Sequence, residues 1–308
     1  MKTSNDFRYI LVTRKTRLQE LVERFNTWPQ ARFYLEHNQV DAGDYLTEHD
    51  LYQKRAQQAE ALLKARGRFQ LLERRFLPSY RFGPRDIVIV IGQDGLVANT
   101  MKYLDDQPVI GVNPDPARWD GQLLRFEIDN LTDVVSRTES QDIDTRDVTF
   151  AEAKTNDGQR LLAINDLFIG PKSHTSARYQ IYWGDKTELQ SSSGIIVSTG
   201  FGSTGWLQSI LYGALGVTGL GEHSMQSGFS WDAQKLQFSV REPFPSNTTG
   251  TELIFGEVNQ QQLLKVESHM PENGVIFSDG IEQDYLRFNS GSIVTIGLAE
   301  QKGCVVIN

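Results

Sequence analysis

Asp94 stands between Gly92 and Gly95, directly after the apolar run Ile87-Val88-Ile89-Val90-Ile91. Glycines at such a turn let backbone N–H groups approach a phosphate closely, and the carboxylate between them can accept a hydroxyl proton or hold a metal-bound water. The same residues also suit a plain turn whose Asp caps the next helix. A second candidate is Asn165-Asp166, a carboxamide beside a carboxylate at the end of Leu161-Leu162-Ala163-Ile164. As a pair they could bind the hydroxyls or the base edge of a nucleoside; alone, such a pair is more often a turn. A third is Ser198-Thr199-Gly200-Phe201-Gly202-Ser203-Thr204-Gly205-Trp206, where backbone and hydroxyl donors are offered together to phosphates, although Gly-Ser-rich loops also merely connect. Asn113 and Asp115, interleaved with Pro114 and Pro116, suit a ligand loop or a simple surface loop. No Gly-x-x-x-x-Gly-Lys-Ser/Thr occurs, which argues against a P-loop.

These residues need strand ends to hold them. The run Ile87–Ile91 is apolar on both faces and reads as a strand buried between helix layers. Leu96, Ala98, Met101 and Leu104 then fall at helical spacing, and Pro108–Asn113 reads as the next strand. In open parallel sheets ligands gather at the carboxyl ends of strands, which is where Gly92, Asp94, Gly95 and Asn113 would lie. Earlier, Tyr9–Val12 reads as a strand, and Thr16 with Gln19 forms a capping-box pattern for a helix carrying Leu18, Leu21, Val22 and Phe25 on one face. Arg14, Lys15 and Arg17 in the intervening turn could reach a phosphate or be solvated. Thr47–Arg66 is rich in helix formers, and Phe69–Leu72 adds a strand.

Beyond Asp129 the pattern changes to short strand candidates separated by polar turns. They are Val148–Phe150, Leu161–Ile164, Tyr179–Trp183, Gly194–Ser198, Lys235–Val240, Glu252–Phe255 and Gly274–Phe277. The expected organisation is an α/β domain over residues 1–129 and a β-rich domain over residues 130–289.

The chain has 308 residues and a net charge of -8, with 31 Lys and Arg against 39 Asp and Glu. That balance argues against a nucleic-acid surface, which needs a concentrated excess of cations. One cysteine, Cys304, permits no internal disulfide and no thiolate zinc cluster, and fits a reducing compartment. With no secretory-type apolar run and no membrane-spanning stretch, the expected location is the cytoplasm.

Gly92-Gln93-Asp94-Gly95, Asn165-Asp166, Ser198–Gly205 and Asp279-Gly280 follow one another in the order and rough spacing of the NAD kinase family, which this sequence resembles from Tyr9 onward. Gly111–Pro116, Leu167–Gly170, Ser192–Gly194 and Phe238–Pro243 are similar to its mitochondrial-type branch and bacterial relatives. The resemblance implies an amino-terminal Rossmann-like α/β domain, a β-rich NAD-kinase-type domain, and a last segment, 290–308, that returns to complete the first. It implies transfer of the terminal phosphate of ATP, with Mg²⁺ brought by ATP, to the 2′-hydroxyl of the adenosine ribose of NAD, by a homodimer or higher oligomer. Asp94 would be the general base, and Gly92 and Gly95 would make room for phosphates. Asn165 and Asp166 would hold the adenosine half, with Thr199, Ser203 and Thr204 lining the same pocket. The alternative is a weak or inactive relative that binds NAD or NADP as a sensor or structural partner. The chain departs from the family pattern at Gln93 and Leu96, where Gly and Thr are usual, at Asp166 for Glu, and at Gly205 for Ala.

Overall fold

The computed structural model describes residues 7–219 and 227–308, which form two compact units. Unit 1 comprises residues 1–146 with 304–308, and unit 2 comprises residues 147–303. The expected boundary near residue 130 falls inside unit 1, because a helix that follows it, Leu131–Ser140, buries Leu131, Val134 and Val135 in the unit 1 core. Among the described residues no helix is long and apolar enough to cross a membrane.

Unit 1 begins with β1 (Arg8–Thr13), α1 (Arg17–Phe25), α2 (Trp28–His37), α3 (Ala42–Arg66) and β2 (Arg68–Glu73). It continues with β3 (Asp86–Ile91), α4 (Asp94–Met101), β4 (Val109–Val112) and α5 (Leu131–Ser140). The strands pair in parallel in the order β2-β1-β3-β4. Val305, in the returning segment, pairs in parallel with Val109. Every residue of β3 is buried, as expected of a strand covered on both faces. Tyr9, Leu11, Ile87, Ile89 and Ile91 share a core with Tyr52, Ala59 and Leu63 of α3 and with α5, while α4 packs on β3 and β4. The capping box at α1 is present: Gln19 N donates to Thr16 Oγ1 at 3.3 Å, and Thr16 N donates to Gln19 Oε1 at 2.9 Å.

Unit 2 is built from β5 (Thr145–Thr155), whose first two residues belong to unit 1, β6 (Arg160–Ala163), β7 (Asp166–Pro171), β8 (Ala177–Trp183), β9 (Lys186–Ser192), β10 (Ile195–Ser198) and α6 (Trp206–Thr218). Then come β11 (Leu236–Val240), β12 (Phe255–Val258), β13 (Leu264–Ser268), β14 (Gly274–Ser278), β15 (Ile281–Arg287) and β16 (Ile293–Val306), whose last residues belong to unit 1. One sheet runs β12-β11-β10-β7-β14-β15 with antiparallel neighbours. In the other, β13 pairs with β8 and β16, and β8 with β9. Leu167, Ile169, Val197 and Phe238 of the first sheet share a core with Tyr179, Ile181, Val266 and Val294 of the second. Because successive strand side chains point to opposite faces, Asp166 and Phe168 lie on the outer face of β7 when Leu167 and Ile169 point inward.

Candidate active site

In unit 1 the chemistry-bearing residues gather at the carboxyl ends of β1, β3 and β4. β3 passes through Gly92 and Gln93 into α4, whose first residue is Asp94. Gln93 is the helix N-cap, yet its side chain makes no capping bond. Asp94 does not cap its own helix either: its Oδ2 accepts from the backbone N–H of Gln122 and its Oδ1 from that of Leu123, each at 2.8 Å. The loop reaches that position because Gly111 lacks a side chain, and a Cβ there would stand 1.9 Å from the Leu123 carbonyl oxygen. Asn113 shapes the same loop, donating from Nδ2 to the Trp119 carbonyl at 2.7 Å and accepting from Asp115 N at 3.0 Å.

Gly95 contrasts with these. It is exposed, and no atom lies within 4 Å of the place a Cβ would take. Neither a left-handed backbone nor a crowded neighbour requires glycine at this position.

Beside Gly92 lies Arg14, whose Cδ and Nε are 3.7 Å from where a Gly92 Cβ would be. Its Nη2 pairs with Glu48 at 2.9 Å, while Nε is buried without a hydrogen-bond partner. Glu48, 4 % exposed, also binds Arg17; Arg17 pairs with Asp44 at 2.8 Å, and Asp44 with Arg118 at 2.5 Å. Burial alone would raise the Glu48 carboxyl, but Arg17 and Arg14 overcome it and hold it below its ordinary range. The Tyr52 hydroxyl ties the strand ends together, accepting from Arg14 N at 3.0 Å and donating to the Ile91 carbonyl at 3.1 Å. Of the basic turn read from sequence, Arg14 and Arg17 are thus held by carboxylates of α3.

In unit 2, Asn165 ends the turn between β6 and β7, and Asp166 is the first residue of β7. Asp279, left-handed at φ 56°, receives this turn: its Oδ1 accepts from Ile164 N at 3.0 Å and Asn165 N at 2.7 Å. Asp166 Oδ1 is buried without a hydrogen-bond partner. Burial pushes its carboxyl up to about 7; a Ser198 hydrogen bond opposes the rise, and the nearby Asp279 adds to it. Thr199 is fully buried, donating to the Ile164 carbonyl and accepting from Gly202 N at 3.1 Å. Ser203 donates to the Gly200 carbonyl at 2.7 Å and accepts from Phe229 N at 3.0 Å. Both hydroxyls therefore shape the loop, whereas Thr204 is exposed. Gly202 is required by close approach, since a Cβ would meet the Asn165 carbonyl oxygen at 2.2 Å.

No family model matches the sequence. A probable NADH kinase of Oryza sativa subsp. japonica is 26 % identical over 222 residues, covering 63 % of this chain and 63 % of the relative's length. The crystal structure of an NAD kinase from Archaeoglobus fulgidus in complex with ATP superposes with a TM-score of 0.59 at 16 % identity, over 97 % of this chain and 93 % of that one. The fold is that of an NAD kinase. Within this NAD kinase fold Leu96, where the family usually has Thr, is a core residue 3 % exposed, with Cδ2 3.1 Å from the place of a Gly92 Cβ. Leu96 thus packs beneath the turn and does not face a ligand across it. Gln93 is half-buried at the cap. Among the described residues no three His, Cys, Asp or Glu side chains converge as a metal site.

Asp279, read from sequence only as part of the Asp279-Gly280 motif and without a role, positions the Asn165-Asp166 turn across more than a hundred residues. Glu48, inside a helix that reads as scaffold, escaped sequence reasoning. A buried Glu facing two Arg residues 34 and 31 positions earlier has no local signature.

Proposed function

We propose that this protein is an NAD kinase of the mitochondrial-type branch, transferring the terminal phosphoryl group of ATP to the 2′-hydroxyl of the adenosine ribose of NAD. The observation that carries this reading is the open space over Gly95 at the start of α4, beside a carboxylate oriented by two backbone amides. The start of a helix favours anions, through its free N–H groups and its dipole. ATP phosphates lie against Gly92, Gly95 and these amides. Asp94 takes the proton of the 2′-hydroxyl while its oxygen bonds to the γ-phosphorus and the bond to the β–γ bridging oxygen breaks, releasing ADP.

Asn165 and Asp166 hold the adenosine half, where the unpartnered Oδ1 of Asp166 supplies an acceptor for a ribose hydroxyl. Thr199 and Ser203 keep the loop in shape, and Thr204 contacts the ligand. The donors at the turn are amides and one carboxylate, which suit a Mg²⁺ ion carried by ATP better than a cage of protein ligands; when bound, the ion offsets phosphate charge. We further place the protein in the cytoplasm as a homodimer or higher oligomer, with NAD and ATP as its partners and no nucleic acid. The test is incubation with NAD, ATP and Mg²⁺ and an NADP-specific readout, with NADH and polyphosphate as parallel acceptor and donor. ATP-dependent NADP formation is expected. No product with any acceptor and donor pair would overturn the reading.

A further inference from the structure

The Asp94 carboxylate is oriented by the amides of Gln122 and Leu123, each 2.8 Å from one of its oxygens. Those amides end the loop that leaves β4, and two features stiffen the chain just before them. Asn113 Nδ2 fixes the Trp119 carbonyl at 2.7 Å, and Gly121, left-handed at φ 44°, lies so close to Leu124 that a Cβ would stand 2.8 Å from the Leu124 Cβ. Arg118 precedes Trp119, and all three nitrogens of its guanidinium are engaged. Nη2 and Nη1 donate to Asp44 Oδ1 and Oδ2 at 2.5 and 3.1 Å, and Nε donates to Asp115 Oδ2 at 3.3 Å. Asp44, in the first turn of α3, also accepts from Arg17 Nη2 at 2.8 Å, and Arg17 pairs with Glu48 one turn further along that helix.

We propose that Arg118 is a positioning residue for Asp94: clamped on Asp44, it sets the loop that presents the two amides to the carboxylate. The inference rests on the NAD kinase reading, in which Asp94 is the base. A planar guanidinium that meets a carboxylate through two parallel hydrogen bonds fixes direction as well as distance, which a lysine ammonium does not. The two side chains are 24 % and 39 % exposed, so solvent screens the pair and its contribution to stability is small. Its effect is geometric. Only Trp119, Asp120 and Gly121 separate Arg118 from Gln122, about 14 Å of chain at full extension, and two of those three residues are held. A shift at the clamp therefore reaches the amides instead of being lost in a slack span. Misplacing a reacting group by about 1 Å costs on the order of 10²-fold in rate. A direct role for Arg118 on a phosphate would require its nitrogens to leave Asp44 and Asp115 first.

The experiment combines steady-state kinetics with amide hydrogen exchange on the wild-type chain, Arg118→Lys, Asp44→Asn and the double variant, each checked for a cooperative melting transition. In each single variant kcat should fall tenfold or more while the KM values for ATP and NAD stay within twofold. Exchange at the Gln122 and Leu123 amides should quicken tenfold or more, with the Val88 and Val90 amides of β3 unchanged. The double variant should be no slower than the worse single one, because both changes break the same contact. Arg118→Lys at the wild-type rate refutes the clamp, since charge alone then suffices, and so does a fall in kcat without faster exchange at Gln122 and Leu123. A raised KM for ATP with kcat retained refutes it by placing Arg118 on the nucleotide. Equal acceleration at Val88 and Val90 refutes it by showing a loss of stability throughout the sheet. Should either single variant fail to fold, Asp44→Glu takes its place, keeping the charge but displacing the carboxylate by one methylene, and is read by the same outcomes. If the wild type makes no NADP, the NAD kinase reading falls, and faster exchange confined to Gln122 and Leu123 still upholds the clamp on Asp94; normal synthesis in every variant with unaltered exchange does the reverse.

Discussion

Gly95→Ala separates ligand space from structural need. Gly95 is the second residue of α4, exposed, with nothing within 4 Å of the place a Cβ would take and no left-handed backbone to preserve. Alanine restricts the unfolded chain at no steric cost, so stability should rise by about 0.4–1 kcal/mol. In a unit of this size that is a melting shift of roughly 1–4 °C upward. The new methyl nevertheless stands where a phosphate oxygen must come to hydrogen-bond the first-turn amides, at about 2.9 Å from nitrogen. Losing one preorganised donor to the transferring group costs about 2.7–4 kcal/mol, a fall of roughly 10²–10³ in turnover. Steady-state kinetics with ATP varied, alongside a thermal melt, reads both effects. A variant that melts higher and turns over like wild type would refute the placement of phosphates at this turn, and one that loses stability would refute the claim that position 95 is unencumbered.

Asp94→Asn should lower turnover by about two to four orders of magnitude. It should also lower the melting temperature, because one amide donor of loop 122–123 then faces an NH₂ group, at a cost of about 1–3 kcal/mol; wild-type turnover removes Asp94 from the base role. Asp166 titrates at about 7 in the folded protein, against an ordinary carboxylate value near 4, so the folded state holds the proton longer. Stability should therefore fall as pH rises from about 4 to about 7 and level off above, by an amount on the order of 4 kcal/mol if burial is complete. Asp166→Asn should flatten that slope in urea unfolding at pH 5 and pH 8, and an unaltered slope excludes the buried carboxyl. Gln93→Gly should raise ATP affinity at little cost, whereas Leu96→Thr should cost about 2–4 kcal/mol by removing buried methyl groups and burying a hydroxyl; urea unfolding and kinetics on the two single variants check this, and a stable, more active Leu96→Thr would contradict the packing described for Leu96.

The parallel strands and the Gly92–Gly95 turn were legible because a fully buried strand must be apolar on both faces and must stop where the backbone turns. The α2 and α5 helices were not: Trp28–His37 mixes apolar and charged residues with little periodicity, and α5 is short, behind a loop that reads as a domain boundary. The α6 helix escaped for the opposite reason, since Trp206–Thr218 is apolar almost all round and buries Leu207 but leaves Tyr212 and Val217 exposed. Glu252–Phe255 has strand composition, yet the strand starts at Phe255. The Glu188 carboxylate accepts from Glu252 N and Leu253 N, replacing the ladder there. At the site, residue types announced Asp94, Asn165 and Asp166, while their settings depend on Gln122, Leu123 and Asp279, which only the folded chain brings near.

Strand β16 gives unit 1 a piece of backbone made only after all of unit 2. Val305 pairs with Val109, and the Ile307 N–H donates to the Asp144 carbonyl at 2.9 Å. During synthesis, therefore, the Val109 end of β4 lacks this neighbour until the ribosome has passed through unit 2, whereas the other end is covered within unit 1 by Phe126, whose N–H donates to the Gly111 carbonyl at 3.1 Å and whose carbonyl accepts from Asn113 N at 2.7 Å. The nascent α/β layer is left with the Val109 part of that margin uncovered for the interval, and its closure is a contact of very long sequence separation, slow to form by its topology. The order of translation thus makes the first domain wait for residues 304–308, which follow the whole of unit 2.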